Sequence, residues 1–104
     1  MQPIFIFWTC KNRTEGRRIT TALLKKHLIA CASIIPNVES IYHWKGKIET
    51  AKECQVIFKT VRRQFLPVRD YIVEHCSYEI PEIIEVIIEQ GNPAYLTGLQ
   101  NSTQ

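Results

Sequence analysis

The sequence predicts an α+β fold in which helices cover one four-stranded antiparallel sheet. Isoleucine outnumbers leucine by 15 to 6, and β-branched residues favour strands. Apolar runs of strand length alternate with helical periodicity in the order β-α-β-β-α-β. A chain of 104 residues supports one core and leaves little for a second. Residues 1–104 are therefore predicted to form a single domain.

The first strand and the first helix carry clear local signals. Ile4 to Trp8 is a continuous apolar run, which is typical of a strand covered on both faces. Asn12 fits a helix N-cap, and Glu15 three residues later would complete a capping box. These signals predict a helix over residues 13–29.

The second and third strands are predicted to form an unusually long hairpin. Cys31–Trp44 and Lys47–Thr60 alternate in polarity around a turn at Lys45-Gly46, with an irregularity expected at Pro36-Asn37. Strands usually have about 5–6 residues, so these two exceed what one small core can cover. We expect the excess length to contact another subunit.

The last third of the chain completes the order of elements. A helix is predicted over 62–76, with Pro67 tolerated in its first turn. A buried strand follows over 83–88, and Asn92-Pro93 marks the N-cap and first residue of a short C-terminal helix. The polar tail, about 101–104, is expected to fray. The whole is a split β-α-β, or ferredoxin-like, sandwich with an extended hairpin.

Several functions leave no trace in the sequence. The net charge of +3 is too mild to indicate nucleic-acid binding, and no strand carries the aromatic RNA-recognition motif. The four cysteines form no CxxC pair, which disfavours ribbon-type zinc sites and thioredoxin-like chemistry. The sequence also lacks a Ser-His-Asp order and a carboxylate pair of defined spacing, so we predict that the protein is not an enzyme.

The sequence also predicts where the protein resides. The apolar N-terminal run lacks a basic region before it and a cleavage site after it, unlike a signal peptide. No stretch approaches the roughly 18 apolar residues that a membrane span needs. We expect a cytoplasmic protein without membrane insertion.

Five short motifs are distinctive when they are taken together and in order. They are Ala30-Cys31-Ala32-Ser33, the hairpin tip Tyr42-x-Trp44-x-Gly46-Lys47-Ile48-Glu49, the Glu53 to Thr60 segment, Tyr78-Glu79-Ile80-Pro81-Glu82-Ile83-Ile84, and Tyr95-Leu96-x-x-Leu99. Over about residues 4–100 they resemble the CutA divalent-cation-tolerance family. The resemblance implies a homotrimer of PII-like design, in which the hairpins of neighbouring protomers pair edge to edge. It also implies a link to copper binding and to the response to metal ions.

The copper ligands implied by the resemblance are only partly present. Bacterial members can carry a Cys where Trp8 stands, and a His-His pair where this chain has His75-Cys76. Cys10 lies two residues beyond Trp8 on the same strand face and is a substitute. His75, Cys76 and Cys10 are thus the predicted ligands for copper or another soft or borderline divalent metal, with no cofactor required. The alternative is that His75 is a packed residue at the edge of the core.

A second candidate site is a pocket between subunits, built on the motifs that resemble the family's. Its predicted lining residues are Tyr42, Trp44, Glu53, Lys59, Tyr78 and Glu82. A lysine and glutamates near aromatic rings would suit a small anion or a metabolite. The alternative is that they form an inter-subunit ion pair and aromatic packing. Two functions therefore stay open: a trimeric metal-responsive protein, and a PII-like signalling or scaffold module that binds a small molecule or a protein partner without metal.

Overall fold

The computed structural model describes all residues, 1–104. Its elements are β1 (Pro3–Cys10), α1 (Arg13–Lys25), β2 (Cys31–Trp44), β3 (Lys47–Val61), a 3-10 turn (Arg62–Gln64), α2 (Phe65–His75), β4 (Glu82–Ile87) and α3 (Pro93–Ser102). The strands form one antiparallel sheet in the order β2-β3-β1-β4. The predicted α+β fold class is confirmed, and β1 lies at the centre of the sheet together with β3.

Helix α1 begins as predicted but ends four residues early. The Asn12 Oδ1 atom accepts the backbone N–H of Glu15 at 2.9 Å, so Asn12 is the N-cap. At the other end His27 adopts a φ of 59°, and the Leu28 N–H donates to the Leu23 carbonyl at 3.1 Å. This 6→1 hydrogen bond is a Schellman motif, which turns the chain toward β2.

The long hairpin of β2 and β3 is present, with strands of 14 and 15 residues. Lys45 and Gly46 both have positive φ, as a type I′ turn requires. Asn37 has a φ of 61° and lies within a register shift between Ile35 and Val38. The irregularity expected there is therefore a β-bulge, and the hairpin extends the molecule to 45 Å in its longest dimension.

One face of the sheet is covered by α1 and α2 and forms the core. Its buried side chains come from β1 (Ile4, Ile6, Trp8, Cys10), from β3 (Cys54, Val56, Phe58), and from the helices (Ile19, Leu23, Val68, Ile72). The Trp8 ring stacks on Phe58 with 5.9 Å between centroids. Trp8 is fully buried in this core.

The opposite face of the sheet, called here the open face, is also apolar but only partly buried. Phe7 lies between Ile57 and Ile84 in the strand register, and Phe5 lies beside Val86. Ile84 and Val86 are 49 % and 42 % exposed. The prediction that the last strand is buried on both faces is therefore wrong within a single chain, because β4 is an edge strand and the helices cover only one of its sides.

The C-terminal tail is held in place, which corrects the prediction that residues 101–104 fray. Helix α3 continues to Ser102, and Thr103 is buried. The Thr103 hydroxyl donates to the Leu99 carbonyl at 2.8 Å. Its own carbonyl accepts hydrogen bonds from Arg63 at 3.0 Å and from Gln64 at 2.8 Å. The end of α3 is thereby tied to the start of the α2 region.

Candidate functional site

A cleft of about 790 Å³ lies where the open face of the sheet meets the hairpin. Its wall comes from the hairpin (Ser40, Ile41, Tyr42, Trp44, Ala51, Glu53), from β1 (Thr9), and from the segment that leads into β4 (Tyr78, Glu79, Ile80, Glu82). Five of the six residues predicted to line a pocket therefore surround one cleft on a single chain. Whether a neighbouring subunit closes that cleft stays a prediction.

The strand register places the acidic residues of the cleft. Thr9 pairs with Glu82 across the β1–β4 ladder, and its hydroxyl donates to the Glu82 Oε1 atom at 2.9 Å. Glu53 points to the same face of the sheet, two residues along β3 from the one that pairs with Thr9. The Tyr78 hydroxyl donates to the Glu53 Oε2 atom at 2.6 Å. Each of these carboxylates is thus held by one neutral donor.

The environment of Tyr78 keeps its hydroxyl protonated. Burial raises the pKa of this phenol, and the Glu53 carboxylate raises it further by hydrogen bonding and by charge. A phenol that stays neutral remains a hydrogen-bond donor at every physiological pH. Tyr78 therefore fixes the orientation of Glu53 at the floor of the cleft.

The cleft is acidic, and it lacks the lysine that was predicted there. No Lys or Arg lines it, and Glu53, Glu79 and Glu82 form no salt bridge within the chain. Lys59 lies six positions along β3 from Glu53, about 20 Å away at 3.3 Å per residue. There its ammonium group donates to the Ser33 hydroxyl. Within one chain, the carboxylates that line the cleft favour a cationic group over a small anion. The ligand of a pocket between subunits stays a prediction.

Aromatic rings of the hairpin tip stand over the cleft with little cover. Tyr42 and Trp44 are 44 % and 59 % exposed in the single chain. The Lys45 ammonium lies 5.7 Å from the centre of the Trp44 ring, which is within the range of a cation–π contact. Large exposed rings next to apolar Ile41 and Ile80 are typical of a surface that binds something else.

Two of the predicted metal ligands lie at the end of α2 and are engaged elsewhere. The His75 ring stacks on Tyr71 with centroids 3.9 Å apart, and its Nδ1 atom hydrogen-bonds the Tyr71 carbonyl at 2.9 Å. The Cys76 thiol donates to the Tyr78 carbonyl at 3.3 Å. Burial raises the pKa of this thiol, which disfavours the thiolate that a metal requires.

The third predicted ligand, Cys10, is in the core beneath α1. Its thiol donates to the Asn12 carbonyl at 3.4 Å, and burial and Cys54 raise its pKa to about 12. No group of three or more His, Cys, Asp or Glu side chains in the chain is arranged to hold a metal ion. The predicted set of His75, Cys76 and Cys10 is therefore not assembled within one chain, because the imidazole turns onto Tyr71 and the Cys10 thiol faces the core.

The buried carboxylate of Glu15, near the site, makes more hydrogen bonds than its place in a capping box predicts. Glu15 was expected only to complete the capping box. Its side chain instead accepts the backbone N–H of Ser77 at 2.8 Å, the Ser77 hydroxyl at 3.2 Å and the Lys11 N–H at 3.2 Å. It thereby ties the β1–α1 loop to the loop that carries Tyr78 into the cleft. The only local signal was the capping pattern, since Ser77 lies far away in the sequence.

Comparison with known proteins decides the family. Residues 4–102 match the family of the CutA1 divalent ion tolerance protein. The chain belongs to this family. The predicted resemblance to CutA proteins is thus confirmed over nearly the whole chain.

Individual CutA proteins agree with this assignment. The divalent-cation tolerance protein CutA of Archaeoglobus fulgidus is 37 % identical over 100 residues, which are 96 % of this chain and 97 % of that protein. The crystal structure of CutA1 from Oryza sativa superposes with a TM-score of 0.96 at 33 % identity, covering 100 % of this chain and 95 % of that one. The structure of the periplasmic CutA from Archaeoglobus fulgidus gives a TM-score of 0.94 at 36 % identity, over 98 % and 99 % of the two chains.

Other CutA relatives are longer than this chain. The chloroplastic CutA protein of Arabidopsis thaliana is 33 % identical over 101 residues, which are 97 % of this chain but 56 % of that protein. The chain spans about half the length of several curated relatives that it matches. None of its helices has the length and apolar character that crossing a membrane requires. Because the names of its relatives place them in the chloroplast and the periplasm, a cytoplasmic location stays a prediction.

Proposed function

We propose that this CutA-family chain acts in divalent-cation tolerance as a homotrimer, without catalysing a reaction. The open face of the sheet carries the proposal of assembly. Phe5, Phe7, Ile57, Ile84 and Val86 make this face apolar across three strands. Helices α1 and α2 cover the other face, and only the short α3 contacts this one. A contiguous apolar surface on a small protein is typical of an interface. The unsupported length of the hairpin is consistent with the same assembly.

The test of assembly is the molecular mass in solution. Light scattering at micromolar protein concentration is expected to give three times the mass of the 12.1 kDa chain. A monomer at that concentration would overturn the proposal, because the open face would then stay exposed to water.

The residues present fit copper only in part. His75 and Cys76 supply one imidazole and one thiol next to each other at the end of α2, whereas Cys10 is buried away from solvent. Thiolate and imidazole suit Cu(I) or Zn(II) better than hard cations. We propose that any soft metal binds at the His75–Cys76 pair, at the surface of the protein, with its remaining ligands supplied from outside this pair.

Titration of Cu(I), Cu(II) and Zn(II) onto the purified protein tests the metal role. The Cys76→Ser variant is expected to lower the affinity for Cu(I) more than Cys31→Ser does. Cys31 is a matched control, because both thiols are partly exposed and free. Equal losses in the two variants, or no loss in either, would exclude a metal role at this pair.

The cleft favours a second candidate, a PII-like signalling or scaffold module that binds a small molecule or protein partner without metal. Its aromatic wall and three unpaired carboxylates would suit a ligand with an ammonium or guanidinium group. Trp44 reports binding there, since the other tryptophan, Trp8, is fully buried.

The test of this second candidate is fluorescence titration with arginine amide and, as the matched anion, acetate. Arginine amide is expected to change the Trp44 emission, and Glu53→Gln is expected to weaken that change. A response to acetate alone, or a response that Glu53→Gln leaves intact, would exclude a cationic ligand in this cleft.

A further inference from the structure

Two of the four cysteines face each other across the sheet. Cys10 and Cys54 are the last pair in the register between β1 and β3. Directly opposed residues of antiparallel strands have Cα atoms about 4.5–5.5 Å apart. That range falls within the roughly 4.4–6.8 Å that a disulfide spans. The backbone therefore already holds this pair at bridging distance.

The side chains of the pair also converge, above a glycine of α1. A Cβ atom placed on Gly16 would lie 3.3 Å from the Cys10 sulfur and 3.6 Å from the Cys54 sulfur. The same Cβ would lie 3.2 Å from a methyl group of Val56. Both sulfur atoms thus lie against the same backbone position, Gly16. The charge and hydrogen bonding of Cys54 accordingly contribute to the raised pKa of Cys10.

The surroundings of Cys10 and Cys54 favour an uncharged disulfide over a metal complex. Both cysteines are buried, at 0 % and 1 % exposure, and the Glu15 carboxylate lies nearby. A bound soft metal would require two thiolates, whose negative charges would be desolvated beside a third. A disulfide carries no charge and fills the same space as the two thiols. The pair consequently suits oxidation better than metal binding.

We propose that Cys10 and Cys54 are an oxidisable dithiol that closes to an intrachain disulfide when a hydroperoxide reaches it. When local opening brings water to the pair, one thiol loses its proton to solvent and the resulting thiolate attacks the peroxide. The O–O bond then breaks, and a sulfenic acid and the hydroxyl product form. The second sulfur then attacks the sulfenic sulfur, so that an S–S bond forms, the S–O bond breaks and water leaves with the second proton. Overall two thiols are oxidised to one disulfide, and hydrogen peroxide is reduced to two molecules of water.

The position of the pair determines how peroxide reaches it and what a disulfide there would do to the cleft. Because the pair ends the β1–β3 ladder, local opening of the β1–α1 connection would expose it while the rest of the sheet stays paired. The residues next to the pair, Thr9 and Glu53, point to the opposite face and line the cleft. A disulfide would therefore fasten β1 to β3 directly behind the cleft and limit the movement of its floor.

The test uses a Cys31→Ser/Cys76→Ser variant, which retains only the proposed pair. After treatment with hydrogen peroxide, the intact mass of the folded protein is expected to fall by two hydrogen atoms. Peptide mapping should join Cys10 to Cys54, and dithiothreitol should restore the mass. In guanidine at equal pH the intrachain disulfide should make up a smaller share of the oxidised product, since unfolding separates the two sulfurs.

The complementary variant, Cys10→Ser/Cys54→Ser, retains Cys31 and Cys76 and should not lose two hydrogens. Its circular dichroism spectrum verifies that it folds. The proposal is overturned if the first variant gains only oxygen, or if it stays reduced under conditions that fully oxidise free cysteine. A mass gain of one copper atom without oxidation, in a parallel incubation with Cu(I), would assign the pair to metal instead.

Discussion

The two faces of the sheet are built from the same strands and differ in what covers them. Phe58 and Ile57 are neighbours in β3, yet the first is buried under the helices and the second lies on the partly exposed open face. Both faces of β1 are apolar as well. A strand with two apolar sides needs a packing layer on each side. This chain supplies α1 and α2 to one side and only the short α3 to part of the other. The comparison teaches that folding completes one face, whereas the other face is left for the assembly proposed above.

Removal of a large ring from the covered face is expected to have the largest effect. Phe58→Ala deletes a fully buried side chain that stacks on Trp8, and should lower the free energy of unfolding by about 3–5 kcal/mol. Chemical denaturation measures this loss. The loss should persist when the protein concentration changes, because the contacts lie within one chain. A cost below about 1 kcal/mol would contradict the packing described for this face.

A charge on the open face should act on assembly rather than on folding. Ile84→Glu would place an unpaired carboxylate at the proposed interface, at a cost of about 3 kcal/mol or more per buried charge. We expect light scattering to show a monomer while the far-ultraviolet circular dichroism is retained. The matched control is Val73→Glu, which adds the same charge to an exposed position on α2. Trimers of Ile84→Glu would show that the open face is not the interface.

A substitution at the hairpin tip is expected to have a smaller effect on the stability of the assembly. If the exposed Trp44 ring packs against a neighbouring subunit, Trp44→Ala should cost roughly 2–3 kcal/mol, as interface hot spots do. Thermal unfolding at two protein concentrations measures this cost. An unchanged melting temperature together with an unchanged mass would place the ring in solvent.

The smallest expected effect, taken per pH unit, is a pH dependence of the stability of the covered face. Burial raises the pKa of Cys10 from 9.0 to about 12, so the unfolded chain loses this proton first as the pH rises. Stability from this group is therefore complete below pH 9 and is lost between pH 9 and pH 12. In that window Cys10→Ala should flatten the decline of unfolding free energy by up to about 1.4 kcal/mol per pH unit. Parallel declines in both proteins would contradict the assignment.

Features that depend on local sequence could be predicted, whereas those that depend on distant partners could not. The Asn12 cap, the Lys45-Gly46 turn and the bulge near Asn37 follow from nearby residues, and all are present. The early end of α1 at Lys25 depends on His27, a residue type that gives no C-cap signal. The order of the tail depends on its contacts with Arg63, which no short segment reveals.

The same distinction explains the candidate site. Tyr42, Trp44 and Glu53 lie on one hairpin, so their proximity follows from the strand pattern. The exclusion of Lys59 follows from the length of β3, which separates it from Glu53 along the same strand. The separation of Cys10 from His75 depends on how the helices pack over the sheet, and strand alternation alone does not specify that packing.

The strand order also affects the sequence in which the strands pair during folding. β2 and β3 are joined by a two-residue turn, so their pairing is local and closes a short loop. The central strand β1 pairs only with β3 and β4, which both follow it at a long distance in the sequence. Such pairings bear the cost of closing large loops before their contacts form, and they slow folding. Strand β1 is thus expected to join the sheet late in folding. The β2–β3 hairpin forms before it, and the edge of β3 that β1 later pairs with is exposed until then.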